Sequence, residues 1–438
     1  MKFHRIDNVV SWRLCMGCGA CAGMCSEKAI SLVDISDQGI RPVVDEKKCR
    51  NCGMCVEVCV GIKLVHKPFC TETIPQLRQS WGPVLEVWEG YAADEEIRFK
   101  GSSGGVATAL ALYCIEKEKM SGVLQIGADS KIPWKSDVFF STNKQSVLAC
   151  TGSRYCPSAV CQRLDLIKQV KGTVGFVGKP CDIAAFEKAR AIEPLLNDKV
   201  GLTISIFCAG VPATSGTREL LSAMGVSAEE VEELRYRGFG WPGKTTARIK
   251  GKPGHIHQMS YERSWGEILS KHSQLRCRLC PDGTGEFADI ACGDPWYRQI
   301  VSDEPGWSLV LTRTKKGTKF LKEALDAGYV KLQKIDIDVL PKSQKSLLGR
   351  RRHLWGRLTA MRIAGVPVPD YQGFSLFKNW LGLPFMEKLS SFLGTLKRIM
   401  TRGWRKPIKL SEGSRYQEID ATMLLMDNGR TAPACKMK

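Results

Sequence analysis

Eight cysteines crowd into residues 15–59 of a 438-residue chain that holds 19 in all. They fall at 15, 18, 21 and 25 and again at 49, 52, 55 and 59, so each member of the second set lies 34 positions after its counterpart. Clustered thiols can form a disulfide knot, a zinc site or an iron–sulfur nest. Zinc sites use two C-x2-C pairs with no third thiol in step, and disulfide scaffolds belong to short secreted chains. A repeated C-x2-C-x2-C-x3-C run is the spacing of two [4Fe–4S] clusters. Three thiolates at three-residue intervals, on loops kept small by Gly17, Gly19, Ala20 and Gly53, can wrap one cubane. The fourth, after a longer gap, is expected to start a helix and reach the other cluster. Cys15, Cys18, Cys21 and Cys59 are thus expected to hold one cluster, and Cys49, Cys52, Cys55 and Cys25 the second.

Between the two runs, ISLVDIS and IRPVV flank Asp37-Gln38-Gly39, a hairpin signal. The first seventy residues resemble a bacterial two-cluster ferredoxin domain. Ser26 and Val60 stand where such domains carry proline after the fourth cysteine, a departure in the turn and not in a ligand.

A second set of thiols is scattered. TVGFVGKPC and VGLTISIFC read as strands that end at Cys181 and Cys208, and RCRLCPD adds Cys277 and Cys280. Ligands of an open parallel sheet sit beyond the carboxyl ends of its strands, so these four could meet in one crevice. A third [4Fe–4S] cluster, a structural zinc and buried inert cysteines are the competing readings; the close pair argues against the last, and the ligand rules favour the cluster over zinc. Cys70, Cys114, Cys150, Cys156, Cys161, Cys292 and Cys435 are left as packing residues or unassigned.

Elements must position these groups. After the polar connector 71–83, VLEVWEGYA reads as a strand, GSSGG as a loop, VATALALYCIEKEK as a helix and GVLQIGA as a further strand. Ser102 or Ser103 can cap that helix, and its free N–H groups suit a phosphate. Glycine at such a turn is as often plain packing.

At this point GSSGGVATAL, TGSRYCPS, VGKPCDIAAF, FCAG, CRLCPD, ADIACGD and GWSLVLTRTKKG follow one another in order between residues 101 and 317. Together they resemble the family of the coenzyme F-420 hydrogenase/dehydrogenase beta subunit, which includes 7-hydroxymethyl chlorophyll a reductases. The resemblance runs from about residue 15 to 335. It implies an FAD-binding α/β domain with an iron–sulfur cluster, behind a ferredoxin domain. By motif it places Ser102, Ser103, Gly104, Gly105 and Thr108 on the flavin, with Gly152, Ser153, Arg154 and Tyr155 added by TGSRY. Lys179 and Asp294 are further pocket residues; a turn or capping role is the plain alternative for Asp294. Family members commonly carry lysine at the position of Arg154.

The expected fold is an α+β two-cluster ferredoxin-like domain (1–70), a linker (71–83), an α/β flavin and iron–sulfur domain (84–340), a basic helical extension (341–410) and a flexible tail (411–438). The formal charge of +19 is concentrated: residues 341–409 hold 15 Lys/Arg against Asp370 and Glu387. Pro367, Pro369 and Pro384 should break this segment into short helices. It could cover the core, lie on an anionic membrane through Trp380, Phe385, Phe392 and Trp404, or neutralise nucleic-acid phosphates. Nucleic acid is disfavoured because no binding motif accompanies the charge.

The opening MKFHRIDNVV has no apolar core of a signal peptide, and no stretch suits a spanning helix, so a cytoplasmic protein, peripheral to the inner membrane face at most, is expected. Six histidines show no metal-site spacing, and no catalytic triad or P-loop is present. Two functions follow. One is an enzyme that takes electrons from a low-potential ferredoxin-like donor through clusters and FAD to an organic substrate. The other is an electron-transfer subunit of a larger complex, exchanging electrons with coenzyme F-420 or a similar soluble carrier.

Overall fold

The computed structural model describes residues 3–301 and 304–410, together with the strand Ser414–Arg415. The hairpin forms as expected: β1 (Ile30–Ile35) and β2 (Gly39–Val44) pair antiparallel, with Ile35 opposite Gly39. Gly39 turns the chain at φ 81°. One difference concerns the helices beside the cysteines. The single turns Ala20–Gly23 and Met54–Glu57 carry the third cysteine of each run, Cys21 and Cys55, and the fourth follows the helix. Gly19 and Gly53, at φ 84° and 80°, start the turn that early. β3 (Lys63–Val65) ends this region.

The connector 71–83 is a packed piece of the fold. Its helix Pro75–Trp81 starts with proline at the first position, where no N–H is missed. Leu77 and Trp81, four apart on one face, are buried with Val84, Leu309 and Leu340.

An eight-stranded sheet forms the body. Its strands are β4 (Glu86–Ala92), β5 (Gly122–Ala128), β6 (Ser136–Ser141), β7 (Val174–Gly178) and β8 (Val200–Ile206), with three more from later in the chain. A separate antiparallel sheet of β9 (Val231–Arg235), β10 (Thr245–Ile249) and β11 (Ile256–Met259) intervenes. Then come β12 (Ile290–Gly293), β13 (Ser308–Thr312) and β14 (Val330–Lys334), and the order is β14-β4-β13-β12-β8-β7-β5-β6. The open parallel sheet expected from sequence is mixed. Only β12, β8, β7 and β5 run parallel, and antiparallel neighbours extend both sides. The central strands are buried on both faces and read as apolar runs interrupted by the buried Gln125, Thr203 and Ser205. β4 and β5, joined through the helix Val106–Glu116, are separated by four strands.

The basic segment docks on this body. Lys345–Ile363 is one 19-residue helix, because Pro367 and Pro369 come only after its end and Pro384 separates the next two, Leu376–Leu381 and Phe385–Thr401. Leu354, Leu358 and Met361 are buried against Ile6, Val9, Leu14 and Cys21. β15 (Asp370–Gln372) pairs parallel with β3. Ser414–Arg415 pairs with β1 inside the stretch read as a tail; the rest of 411–438 lies outside the described residues. Among the described residues no helix is long and apolar enough to cross a membrane.

Candidate redox site

The eighteen described cysteines are all free thiols. Cys21 lies within electrostatic reach of Cys15, Cys18 and Cys59, and also of Cys55 from the other run. Cys55 lies within reach of Cys52 and Cys49. Two amides already point at sulfur: Gly17 N–H donates to Cys15 Sγ (3.3 Å) and Ala29 N–H to Cys25 Sγ (3.4 Å). Burial pushes the Cys59 thiol up to about 11, and Cys18 and Cys21 higher. A bound metal would make such groups thiolates.

Cys181, Cys208, Cys277 and Cys280 do converge. β7 runs into Lys179, and the helix Pro180–Ile192 opens with Cys181 in its first turn. β8 stops two residues before Cys208, whose N–H bonds Gly283 O (2.8 Å). Cys277 sits in the turn Leu275–Arg278, with Cys280 just beyond. Cys208 interacts with Cys277 and Cys280, and Cys181 with Cys208 and Cys280. Val211 N–H donates to Cys277 Sγ (3.4 Å). Lys179, Arg276 and Arg350 surround the group. A buried all-sulfur donor set ringed by cations and amides fits an anionic iron–sulfur cluster.

Sequence reasoning missed two neighbours. Arg276 is almost fully buried and donates to Val60 O (2.9 Å), one residue past Cys59, while facing Cys277, Cys280 and Cys181. Its Nε has no hydrogen-bond partner among the described residues. Beside it, Met16, Val60, Leu64, Cys181 and Cys280 line a void of about 10 Å³. Cys161, left as packing, is fully buried; its N–H bonds Cys18 O (3.0 Å) and its Sγ bonds Asp182 O (3.4 Å). Arg276 adjoins the visible CRLC motif, but nothing in the sequence marks Cys161.

A cavity of about 900 Å³ opens on the far side of the scattered thiols and includes Cys208 in its wall. Ser102, Ser103, Gly105, Thr108, Gly152, Ser153, Arg154, Tyr155, Lys179 and Asp294 all line it, as do Cys150 and Cys292. Gly104 is not in the wall. Its N–H bonds Ser308 Oγ (3.0 Å), and a Cβ there would stand 2.6 Å from Gly90 O, so this glycine serves close packing. Neither serine caps the helix. Gly105 is the N-cap, Ser102 Oγ accepts from Ser153 N–H (2.6 Å), and Ser103 Oγ meets Ser308 Oγ (3.0 Å). The first intrahelical donor is Ala109 N–H to Gly105 O, so the amides of wall residues Val106, Ala107 and Thr108 precede the helical ladder.

Three expected contacts are already engaged. The Arg154 guanidinium donates to the carbonyls of Leu234 (3.0 Å), Pro133 (2.9 Å) and Lys135, which makes it a clamp between loops. Lys179 Nζ bonds Asp182 (2.6 Å) and Ser158 (2.8 Å); burial lowers its pKa, but Asp182 outweighs this and holds it above the usual range. Asp294 is paired with Arg237 through both oxygens (2.7 and 2.9 Å) and accepts from Trp241 Nε1 (2.8 Å). Arg237, Tyr261, Trp265 and Trp296 complete that wall, and residues 342–347 of the basic segment close another side. Ser343 and Gln344 donate to Asp294 O (3.1 and 2.6 Å). These contributions come from helices and loops with no motif of their own.

An iron–sulfur region sharing a core with an α/β body that adjoins a large cavity defines an electron-transfer protein of the oxidoreductase class. Residues 14–60 match the 4Fe-4S dicluster domain. Residues 87–165 and 172–338 match the N- and C-terminal models of the coenzyme F-420 hydrogenase/dehydrogenase beta subunit, and the chain belongs to that family. It is 23% identical over 298 residues to the coenzyme F-420 hydrogenase subunit beta of Methanothermobacter thermautotrophicus, covering 66% of this chain and 99% of that one. It is 26% identical over 291 residues to the protein of the same description from Methanococcus voltae, covering 64% and 95%. With the coenzyme F-420-dependent sulfite reductase of Methanocaldococcus jannaschii it shares 24% over 342 residues, 74% of this chain but only 47% of that protein. A chain of the F-420-reducing [NiFe] hydrogenase complex from Methanosarcina barkeri superposes with a TM-score of 0.51 at 22% identity, covering 64% of this chain and 94% of that one. The fold of the body is therefore shared with that hydrogenase chain.

Proposed function

We propose that the chain is the electron-transfer subunit of a larger redox assembly and exchanges electrons with coenzyme F-420 or a similar soluble carrier. One observation carries this reading: the scattered thiols stand between the other two parts. Cys181 and Cys280 share a void with Met16 and Val60, and Cys208 faces the cavity. Cys15, Cys18, Cys21 and Cys59 would hold one cluster, Cys49, Cys52, Cys55 and Cys25 a second, and Cys181, Cys208, Cys277 and Cys280 a third. In the cavity, Ser102, Ser103, Gly105, Thr108, Gly152, Ser153 and Tyr155 would contact FAD, with phosphate at the free amides of Val106, Ala107 and Thr108. Bound flavin supplies exchange between single electrons and hydride. The protein's own share is to exclude water, to hold the Asp294–Arg237 pair in the wall and to surround the third thiol group with cations.

The direct test is anaerobic purification with iron, sulfide, zinc and flavin assayed together, followed by reduction of F-420 and of other carriers. About twelve iron and one flavin per chain are expected, from three cubanes. About eight iron with one zinc would remove the third cluster, and absence of flavin would remove FAD from the cavity. Activity on an organic compound with none on F-420 would return the chain to the role of a free-standing reductase.

A further inference from the structure

The helices Leu376–Leu381 and Phe385–Thr401 leave large apolar side chains uncovered. The side of the second helix turned to the body carries Ser391, Thr395 and Ile399, which are 5%, 2% and 1% exposed. Ser391 Oγ accepts from Trp380 Nε1 (3.0 Å) and would lie 2.3 Å from a Cβ on Gly356, so small polar residues are what this contact admits. The opposite side carries Phe385 (74% exposed), Met386, Leu393 and Met400 (78%), and the first helix adds Phe377 and Leu381. Positions 385, 389, 393 and 400 share one face of a helix about 25 Å long. A surface helix of a soluble protein normally turns polar and charged residues outward, and an exposed apolar face marks a contact surface.

Charge says what the contact is. Residues 376–409 hold eight Lys/Arg and one acid, Glu387. That acid already pairs with His353 (3.1 Å). Lys378, Lys397, Arg398, Arg402, Arg405 and Lys406 are exposed. An apolar stripe framed by cations that have no acidic partner among the described residues complements a surface that is apolar at depth and anionic at its face. Protein interfaces, by contrast, exclude charge from their core and are depleted in lysine. Of the four anchors the sequence suggested, only Phe385 faces outward; Trp404 is buried, and Trp380 and Phe392 are half-buried.

We propose that residues 376–409 seat the protein on the surface of an anionic lipid bilayer, with Phe377, Leu381, Phe385, Met386 and Leu393 at headgroup depth and the cations against lipid phosphates. This anchor is independent of the redox reading. The helix Lys345–Ile363, which belongs to the core, holds it rigidly to the body.

The test is co-sedimentation of the full, cluster-loaded chain with vesicles of phosphatidylcholine alone or with about 30% phosphatidylglycerol, at low and high salt. The expected result is at least about tenfold tighter binding to the anionic vesicles, weakened by salt. Phe385→Ser combined with Met386→Ser should reduce binding about tenfold with iron content and visible spectrum unchanged. Lys397→Glu combined with Arg402→Glu should remove the preference for anionic lipid. Equal binding to both vesicles, no binding at low salt, or binding indifferent to either pair overturns the proposal. So does a wild-type dimer that the Phe385/Met386 pair dissociates, which would assign the stripe to a second copy.

Discussion

The molecule carries two sets of thiols built in opposite ways. The eight near the N-terminus lie within 45 consecutive residues, spaced so that a short loop around a left-handed glycine can do most of the positioning. The four in the body are spread over a hundred residues, and two parallel strands, one helix start and one isolated turn bring them together. Local spacing makes a site that survives changes elsewhere in the fold. A site assembled from distant elements depends on the sheet beneath it, but it can be put at a chosen depth, here between the first set and a cavity.

Breaking each set in turn should separate them. Cys277→Ser is expected to cost about four iron per chain and leave the two N-terminal clusters spectroscopically intact. Cys18→Ser should do more damage. It removes a ligand from a region whose core, through Ala20, Val58 and Val60, is continuous with Phe176 and Phe186 of the body. Its checks are iron content together with the loss of cooperative melting. Equal loss of all clusters from both variants would show that the two sets fold as one.

The next effect concerns the joint that holds the regions together. Glu286 of the body accepts from His66 of the N-terminal region (2.8 Å) and pairs with Arg351 of the basic helix, all three being buried. Burial alone would raise the Glu286 pKa. Arg351, the His66 hydrogen bond and Arg313 outweigh it and hold the carboxyl at about 2. A carboxylate lowered in this way contributes stability that is complete above its ordinary value of 4.5 and is lost as pH falls toward about 2. Glu286→Gln leaves Arg351 buried without its partner and should cost about 3 kcal/mol at neutral pH. In thermal melts the variant should flatten the acid limb between those two pH values; an unchanged acid limb would place the acid sensitivity elsewhere.

The smallest expected effect is on electron flow between the two sets. Arg276 brings a buried positive charge to both. Replacing it with Met should lower the potentials of the adjacent clusters by on the order of 50 mV, because the reduced, more negative cluster loses a favourable neighbour. Redox titration followed by electron paramagnetic resonance reads the shift. A change confined to the body cluster would mean that Arg276 serves that site alone.

Much of this was legible in the residues. The 34-residue repeat, the hairpin at Asp37-Gln38-Gly39 and the strands and helix around GSSGG depend on short-range spacing, and they appear where the patterns put them. The mixed sheet was not legible, because an antiparallel neighbour of a buried strand is as apolar as a parallel one. Nor was the packed helix in the connector, whose burial rests on two residues, Leu77 and Trp81.

The cavity shows the same division. Gly152 and Ser153 could be named from a motif, but the engagement of Arg154 by three carbonyls and of Asp294 by Arg237 depends on loops that meet only in space. The basic segment divides most sharply. Its charge and its apolar periodicity were plain, yet which face of Phe385–Thr401 turns inward was set by the small partner Gly356 on another helix. By itself the sequence determined the chemistry, since thiol spacing and charge are local properties of the chain. The tertiary structure alone decided which thiols meet, which charges are already spent and which apolar face is left for a partner, because burial and pairing depend on residues far apart in sequence.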